Sequence, residues 1–350
     1  MKDLKEIAKQ FEIKGEIKDI KPINSGWINH TYKVETEEGS PDYILQSKNA
    51  SIFQNVPAMM DNIVRVTEHI RKKVEEEGGD PEREVMHVIN TKAGKPYLLD
   101  KDGEYWTVSV FIPDTIAYEM ATTPDLARKG GIGIGRFQKY LQDLTEPLYP
   151  TIEGFHDLAY RFKQWDEALK NGLPERIEEA KDEIKWVEKH RKEMEDFWKL
   201  VEDGTLPKRV THNDTKISNI LFDKEGNVLC VIDLDTVMSN TPLADFGDAI
   251  RTFANTGAED DENLDNVNLD VDKYKAYTEG YLSEAEGMLN DKEKEYLSFS
   301  PKYITYEQVM RFLMDYLQGD TYYKILYPKH NLVRTKAQIK LMDSMEENGL

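Results

Sequence analysis

Residues 209–250 read RVTHNDTKISNILFDKEGNVLCVIDLDTVMSNTPLADFGDAI. Four polar side chains, His212, Asp214, Lys216 and Asn219, stand at fixed spacing ahead of a short apolar run, VLCVI at 228–232. The turn Lys224-Glu225-Gly226-Asn227 bounds that run, so it reads as a buried strand. Asp233 and Asp235 follow at its end. Along a strand, residues two apart point the same way, so both carboxylates can reach one pocket.

The spacing H-x-D-x-K-x-x-N is that of a kinase catalytic loop. Phosphoryl transfer needs a carboxylate to take the acceptor's proton, a cation to neutralise the transferring group, and oxygen ligands to hold Mg²⁺ on the triphosphate. Asp214 suits the first task and Lys216 the second. Asn219 and Asp233 suit the third, with Asp235 as a further metal ligand. The competing reading makes Asp214 a helix cap, Asn219 a turn residue and the two later aspartates surface groups. The order of all these groups within one stretch favours the chemistry. A literal Asp-Phe-Gly at Asp245, Phe246 and Gly247 lies behind Pro242 in a helical-looking run. The metal is therefore assigned to Asp233, and Asp245 is expected to brace the loop's backbone through carboxylate hydrogen bonds.

In THNDTKISNILFD, CVIDLDTVM and DFGDAIR the chain resembles the aminoglycoside phosphotransferase and choline kinase superfamily, and within it the N-acetylhexosamine 1-kinases. YILQSKN near the start and RFLMDYLQGDTYYKILYPKHNLVRTKAQIKLM near the end extend the resemblance over most of the chain. It implies an α+β, protein-kinase-like two-lobed fold: a small antiparallel β-sheet N-lobe at 1–112, which binds nucleotide, and a mainly helical C-lobe at 113–350. It implies ATP as co-substrate, Mg²⁺ as cofactor, and transfer to the C1 hydroxyl of an N-acetylhexosamine (GlcNAc or GalNAc). It further implies that Gln46 meets the nucleotide, and that Arg311 and Tyr322 contact the sugar beside Asp214 and Asp233. Trp27 stands where the family carries histidine; it can stack on a sugar face but cannot reproduce both imidazole hydrogen bonds, which leaves gluco against galacto open. A kinase for choline, an aminoglycoside, homoserine or another small alcohol remains an alternative, as does a nucleotide-binding pseudokinase. Protein kinase activity is disfavoured, because the chain between Asp235 and Asp245 is too short to seat a peptide.

Composition narrows the partners. Lys+Arg of 46 against Asp+Glu of 66 gives a net charge of -20 over 350 residues, which repels nucleic acid and anionic membranes while leaving a cationic substrate possible. The expected partners are a small-molecule sugar and ATP, with no obligate protein partner. Cys230 is the only cysteine, which excludes an intramolecular disulfide. No apolar run is long enough to cross a bilayer, and a cytoplasmic location is the expectation.

Elsewhere the periodicities predict a short helix over 3–11, strands at IKDIKPIN, HTYKVET and DYILQ, a helix from 57 to about 77, and strands at EVMHVIN, PYLLD and YWTVSVFI. Ser25 in the first hairpin could donate to phosphate, and Lys48 either helps hold the nucleotide or faces water. Phe111 and Ile112 read as a hinge whose backbone could meet adenine, with Pro113 ending the sheet. The glycine run at 130–135 lacks a preceding strand and reads as close helix packing rather than a phosphate loop. Residues 174–202 read as one long charged helix, His156 as a packed or hydrogen-bonding side chain rather than a catalyst, and 257–272 as an acidic solvated loop.

Overall fold

The computed structural model describes residues 3–23 and 29–350. Ser25 and Trp27, for which phosphate and sugar contacts are expected, lie outside the described residues. The chain divides into two compact units. Unit 1 comprises Met1–Ala117, Asp143–Glu153 and Ile220–Ser239; unit 2 comprises Tyr118–Gln142, Gly154–Asn219 and Asn240–Leu350.

Unit 1 begins with α1 (Leu4–Ala8), β1 (Ile17–Ile23), β2 (His30–Thr36), β3 (Tyr43–Lys48), α2 (Val56–Glu76), β4 (Val88–Ile89), β5 (Leu98–Leu99), β6 (Tyr105–Val110) and β7 (Ile116–Ala117). The first six strands form one antiparallel sheet in the order β1-β2-β3-β6-β4, with β5 also paired to β6. Alternation along β3 sends Tyr43 and Leu45 to one face, where they pack with Ala8, Phe11, Val34, Trp106 and Val108. Gln46 and Lys48 therefore share the opposite face. On α2, Asn55 caps the first turn by accepting from the Ala58 amide, and Met59, Met60, Ile63, Val66, Ile70 and Val74 form the buried stripe. Asn62 on the same helix donates to the carbonyls of Tyr149 and Val237 and accepts from the Tyr149 amide, at 2.7, 3.1 and 2.9 Å. One amide side chain thus ties together all three segments of the unit.

Unit 2 holds α3 (Pro124–Leu141), α4 (Leu158–Asn171), α5 (Pro174–Glu179), α6 (Lys181–Glu202) and β8 (Arg209–Thr211). The chain then returns to unit 1 as β9 (Ile220–Phe222) and β10 (Val228–Val231), which with β7 make a three-stranded antiparallel sheet in the order β10-β9-β7. After β11 (Met238–Asn240) it re-enters unit 2 as α7 (Pro242–Phe253), α8 (Val271–Ala285), α9 (Asp291–Glu295), α10 (Ser300–Leu317) and α11 (His330–Glu347). The glycine run packs α3 against α8. A Cβ on Gly131 would lie 2.2 Å from the Tyr277 carbonyl oxygen, and one on Gly280 would lie 2.0 Å from that of Arg128. Nearly every residue of α7 and α10 is buried, which makes these two helices the centre of the unit.

The architecture is α+β, an antiparallel sheet in one unit and mainly helices in the other, as expected. Three details differ. The first sheet ends before Pro113 as expected, but β7 lies beyond it in the second sheet; its two residues are too short to show a period, so only pairing with β9 specifies it. The helix expected over 174–202 breaks at Ala180, which leaves helical geometry at φ -97° and ψ 19° and is fully buried. The acidic loop is tied down rather than merely solvated: Glu259 pairs with Arg251 at 2.6 Å and Asp260 with His330 at 2.8 Å.

Candidate active site

Unit 2 carries the loop that follows β8. Its backbone is held from beneath by the two aspartates of α7. Asp245, fully buried, accepts from the His212 amide at 2.9 Å, the Asn213 amide at 2.7 Å and Gln138 Nε2 at 2.8 Å. Asp248 accepts from the Thr215 amide at 3.0 Å and is paired with Arg251 at 2.9 Å. Burial pushes the Asp245 carboxyl up, and His212 together with these three N–H donors works against it. The bracing role read from the sequence is what the geometry shows. Gly247 of the Asp-Phe-Gly triplet sits inside α7 with no room for a side chain, a Cβ there lying 2.3 Å from the Ser300 carbonyl oxygen. That triplet is a packing motif.

Above this base the side chains of the loop converge. Lys216 Nζ lies 3.0 Å from Asp214 Oδ2, and Asn219 Nδ2 donates to the same oxygen at 3.0 Å and to the Asp214 carbonyl at 2.8 Å. Burial alone would raise the Asp214 carboxyl. The charges of Lys216 and His212 and the two side-chain hydrogen bonds outweigh it and hold the group below its usual value. About a third of the Asp214 side chain stays exposed, 32 %, so the ionised carboxylate can still be approached.

Unit 1 carries the second group. Asp233 sits where β10 ends, in the left-handed region at φ 61° and ψ 56°. A non-glycine residue held there is uncommon and clusters at functional sites. Asp235, in the 3₁₀ turn that follows, receives Lys48 Nζ at 2.7 and 2.8 Å and Asn29 Nδ2 at 2.8 Å. Lys48 also donates to Gln46 Oε1 at 2.8 Å, and Gln46 Nε2 donates to Thr31. Lys48 and Asp235 are almost fully buried, with 3 and 6 % exposure, so the water-facing alternative for Lys48 is overturned. Asn29 reads from the sequence as a side-chain donor of the first hairpin, but its partner Asp235 lies 206 residues away and no sequence pattern connects the two.

The remaining expected residues fall as follows. The Phe111 amide is donated to the Asp42 carbonyl at 2.9 Å, and the Ile112 carbonyl accepts from Thr115 at 3.1 Å. In unit 2, Arg311 lies over the rings of Phe155 and Tyr323, 5.3 and 5.5 Å from their centroids, and donates to Gln308 at 2.6 Å. Tyr322 is exposed, and its ring packs edge-on to Tyr323 at 4.8 Å. Asp315 shapes this turn by accepting from the amides of Thr321, Tyr322 and Tyr323 at 2.8, 2.7 and 2.9 Å.

The donor set suits magnesium in one respect. Asn219 turns its NH₂ to Asp214, so its carbonyl oxygen is the end left for an ion. Among the described residues no three His, Cys, Asp or Glu side chains cluster to hold a metal. Mg²⁺ usually takes one or two protein oxygens and completes its shell with water and substrate phosphate, and a carboxamide oxygen such as that of Asn219 and a carboxylate such as that of Asp233 are each the kind of ligand it takes.

The model of a phosphotransferase enzyme family matches residues 19–278. Among solved structures, a microcompartment-associated aminopropanol kinase is similar over 98 % of this chain and 96 % of its own, at 15 % identity and a TM-score of 0.68. A spectinomycin phosphotransferase bound to ADP and spectinomycin covers 98 % of both chains at 16 % identity and TM-score 0.60. A choline kinase from Streptococcus pneumoniae covers 94 % of both at 13 % identity and TM-score 0.52. At such identities these likenesses establish the kinase-like fold. With the family model spanning most of the chain, and the Asp214 loop built as described, the protein belongs to the phosphotransferase enzyme family.

Proposed function

We propose that the protein is a small-molecule kinase which transfers the γ-phosphate of ATP to the C1 hydroxyl of an N-acetylhexosamine, with nucleotide binding assigned to the lobe at 1–112. The observation that carries this reading is the ionised, partly open Asp214, clasped by Lys216 and Asn219 on a backbone fixed by Asp245. Asp214 orients the acceptor hydroxyl and takes its proton at Oδ1 or Oδ2. Lys216, already on that carboxylate, neutralises the transferring phosphoryl. Asn219 and Asp233 would hold Mg²⁺, which would supply charge compensation for the triphosphate. Lys48 is steered by Asp235 and Gln46 and binds nucleotide phosphate, while Gln46 and the backbone at Phe111 and Ile112 face the nucleotide. The Phe111 amide is occupied, so its carbonyl is the group there that would meet adenine.

The sugar assignment rests on Arg311, Tyr322 and the family resemblance. Arg311 lies over Phe155 and Tyr323, its charge is answered by the Glu307 carboxylate, and its guanidinium offers N–H donors suited to an oxygen-rich acceptor. Incubating the protein with MgATP and single N-acetylhexosamines, then locating the new phosphate by phosphorus and proton NMR, tests the reading. A C1 phosphate is expected; phosphate appearing only on choline, an aminoglycoside or homoserine would replace the sugar assignment, and ATP consumption without acceptor preference would point to the pseudokinase alternative.

A further inference from the structure

His156 lies between α3 and α4 in unit 2, far in sequence from the Asp214 loop, and no step above uses it. It is buried, at 3 % exposure, and its backbone is left-handed at φ 53°. Three groups fix it. Tyr303 donates its hydroxyl to the His156 carbonyl, Nδ1 faces a carboxylate oxygen of Glu307, and Nε2 faces the Asn213 carbonyl at 3.0 Å. A carbonyl oxygen can only accept, so Nε2 carries a proton. The other Glu307 oxygen accepts from Arg161 Nε at 2.8 Å, which keeps Glu307 a carboxylate and makes Nδ1 a donor as well. The ring is an imidazolium on geometry alone.

Its target is the peptide that carries Asp214. The oxygen of that peptide belongs to Asn213 and is held by His156; its N–H belongs to Asp214 and is directed at His212 Nδ1 at 3.2 Å. One peptide is therefore gripped at both ends by imidazoles, while Asn213 itself is left-handed at φ 64° with its own amide on Asp245. Carboxylates hold the His212, Asn213 and Thr215 amides, an imidazole holds that of Asp214, and a cation holds the Asn213 carbonyl.

We propose that His156, charged and locked by Glu307 and Arg161, is a positioning residue that fixes the Asp214 peptide, and that loss of its proton sets the alkaline limit of turnover. The charged and titratable groups around it are Glu307, Arg311 and Tyr303 on α10, Arg161 and the capping Asp157 on α4, and Asp248 on α7. Burial by itself would discharge the ring, and the Glu307 carboxylate overrides it and raises the imidazole above 6.5. Glu307 is correspondingly lowered. The stabilising contribution of a raised histidine is complete below its unfolded value and is lost as pH rises through the folded one.

The kinetic part rests on Asp214 being the acceptor base, so the test separates the two. In protein labelled with ¹⁵N-histidine and ¹⁵N-aspartate, the His156 ring is expected to show both nitrogens protonated at pH 7. The Asp214 amide should move with the same midpoint when the ring titrates. Glu307→Gln should lower that midpoint, and with it the alkaline limb of kcat, by about one to three pH units, leaving KM for ATP unchanged. A neutral His156 at pH 7, or an Asp214 amide indifferent to it, would overturn the proposal even if the variant does not fold. So would a Glu307→Gln enzyme whose kcat falls equally at every pH. Full activity in Asp214→Asn would instead refute the base assignment and leave the NMR result standing.

Discussion

Asp214 sits under two opposing pressures, burial that favours the neutral acid and nearby cations that favour the anion, and the cations prevail. Because its folded value lies below the usual 3.8, the group contributes stability above the unfolded value and loses it as pH falls through the folded one. The acid limb of kcat is accordingly expected below pH 3.8 unless unfolding intervenes, and a limb between pH 5 and pH 7 in a pH–rate profile would show that another group is the base. Cys230 makes the contrasting case. Burial pushes its thiol up to about 12, so iodoacetamide should leave it unmodified in the native state and modify it rapidly in urea, as mass spectrometry would read. The polar spacing of His212, Asp214, Lys216 and Asn219 was legible in the sequence because the loop is local. His156 was not, since its partners Asn213 and Glu307 are 57 and 151 residues away and no period connects them.

At the scale of elements, small side chains set which helices touch. Gly280→Ala would drive a Cβ to within 2.0 Å of the Arg128 carbonyl oxygen, forcing α8 away from α3. Destabilisation of about 1–3 kcal/mol is expected by urea denaturation, the range for overpacking a close contact. Asn62→Ala removes the ties from α2 to the Tyr149 and Val237 carbonyls and orphans the Tyr149 amide, and a loss of about 1–3 kcal/mol should follow. A stability change under 0.5 kcal/mol in either variant would contradict these packing assignments. The long helix α2 and strands β1, β2, β3 and β6 were readable because five or more residues show a period. β7 and the break at Ala180 were not, because tertiary pairing and burial specify them rather than propensity.

For the whole molecule, a net charge of -20 is a solubility feature that sets no step of the chemistry, and the proposed reaction would turn on two lysines already ion-paired within that acidic chain, Lys48 with Asp235 and Lys216 with Asp214. Saturating ligand should register as stability. MgATP at a hundred times its dissociation constant is expected to add about 2.7 kcal/mol and raise the melting temperature, with ATP lacking Mg²⁺ giving less. An unchanged melting curve would contradict nucleotide binding. The family and fold follow from the assembled residues, whereas the proposed acceptor rests on a handful of side chains around Arg311 and Tyr322 that pattern alone does not rank. The most direct test of the central claim is the turnover of Asp214→Asn beside the native enzyme, with MgATP, an accepted acceptor, and matched melting curves to confirm folding. A loss of about 10²- to 10⁴-fold in kcat with ATP affinity retained is predicted; near-native turnover in the folded variant would contradict the account.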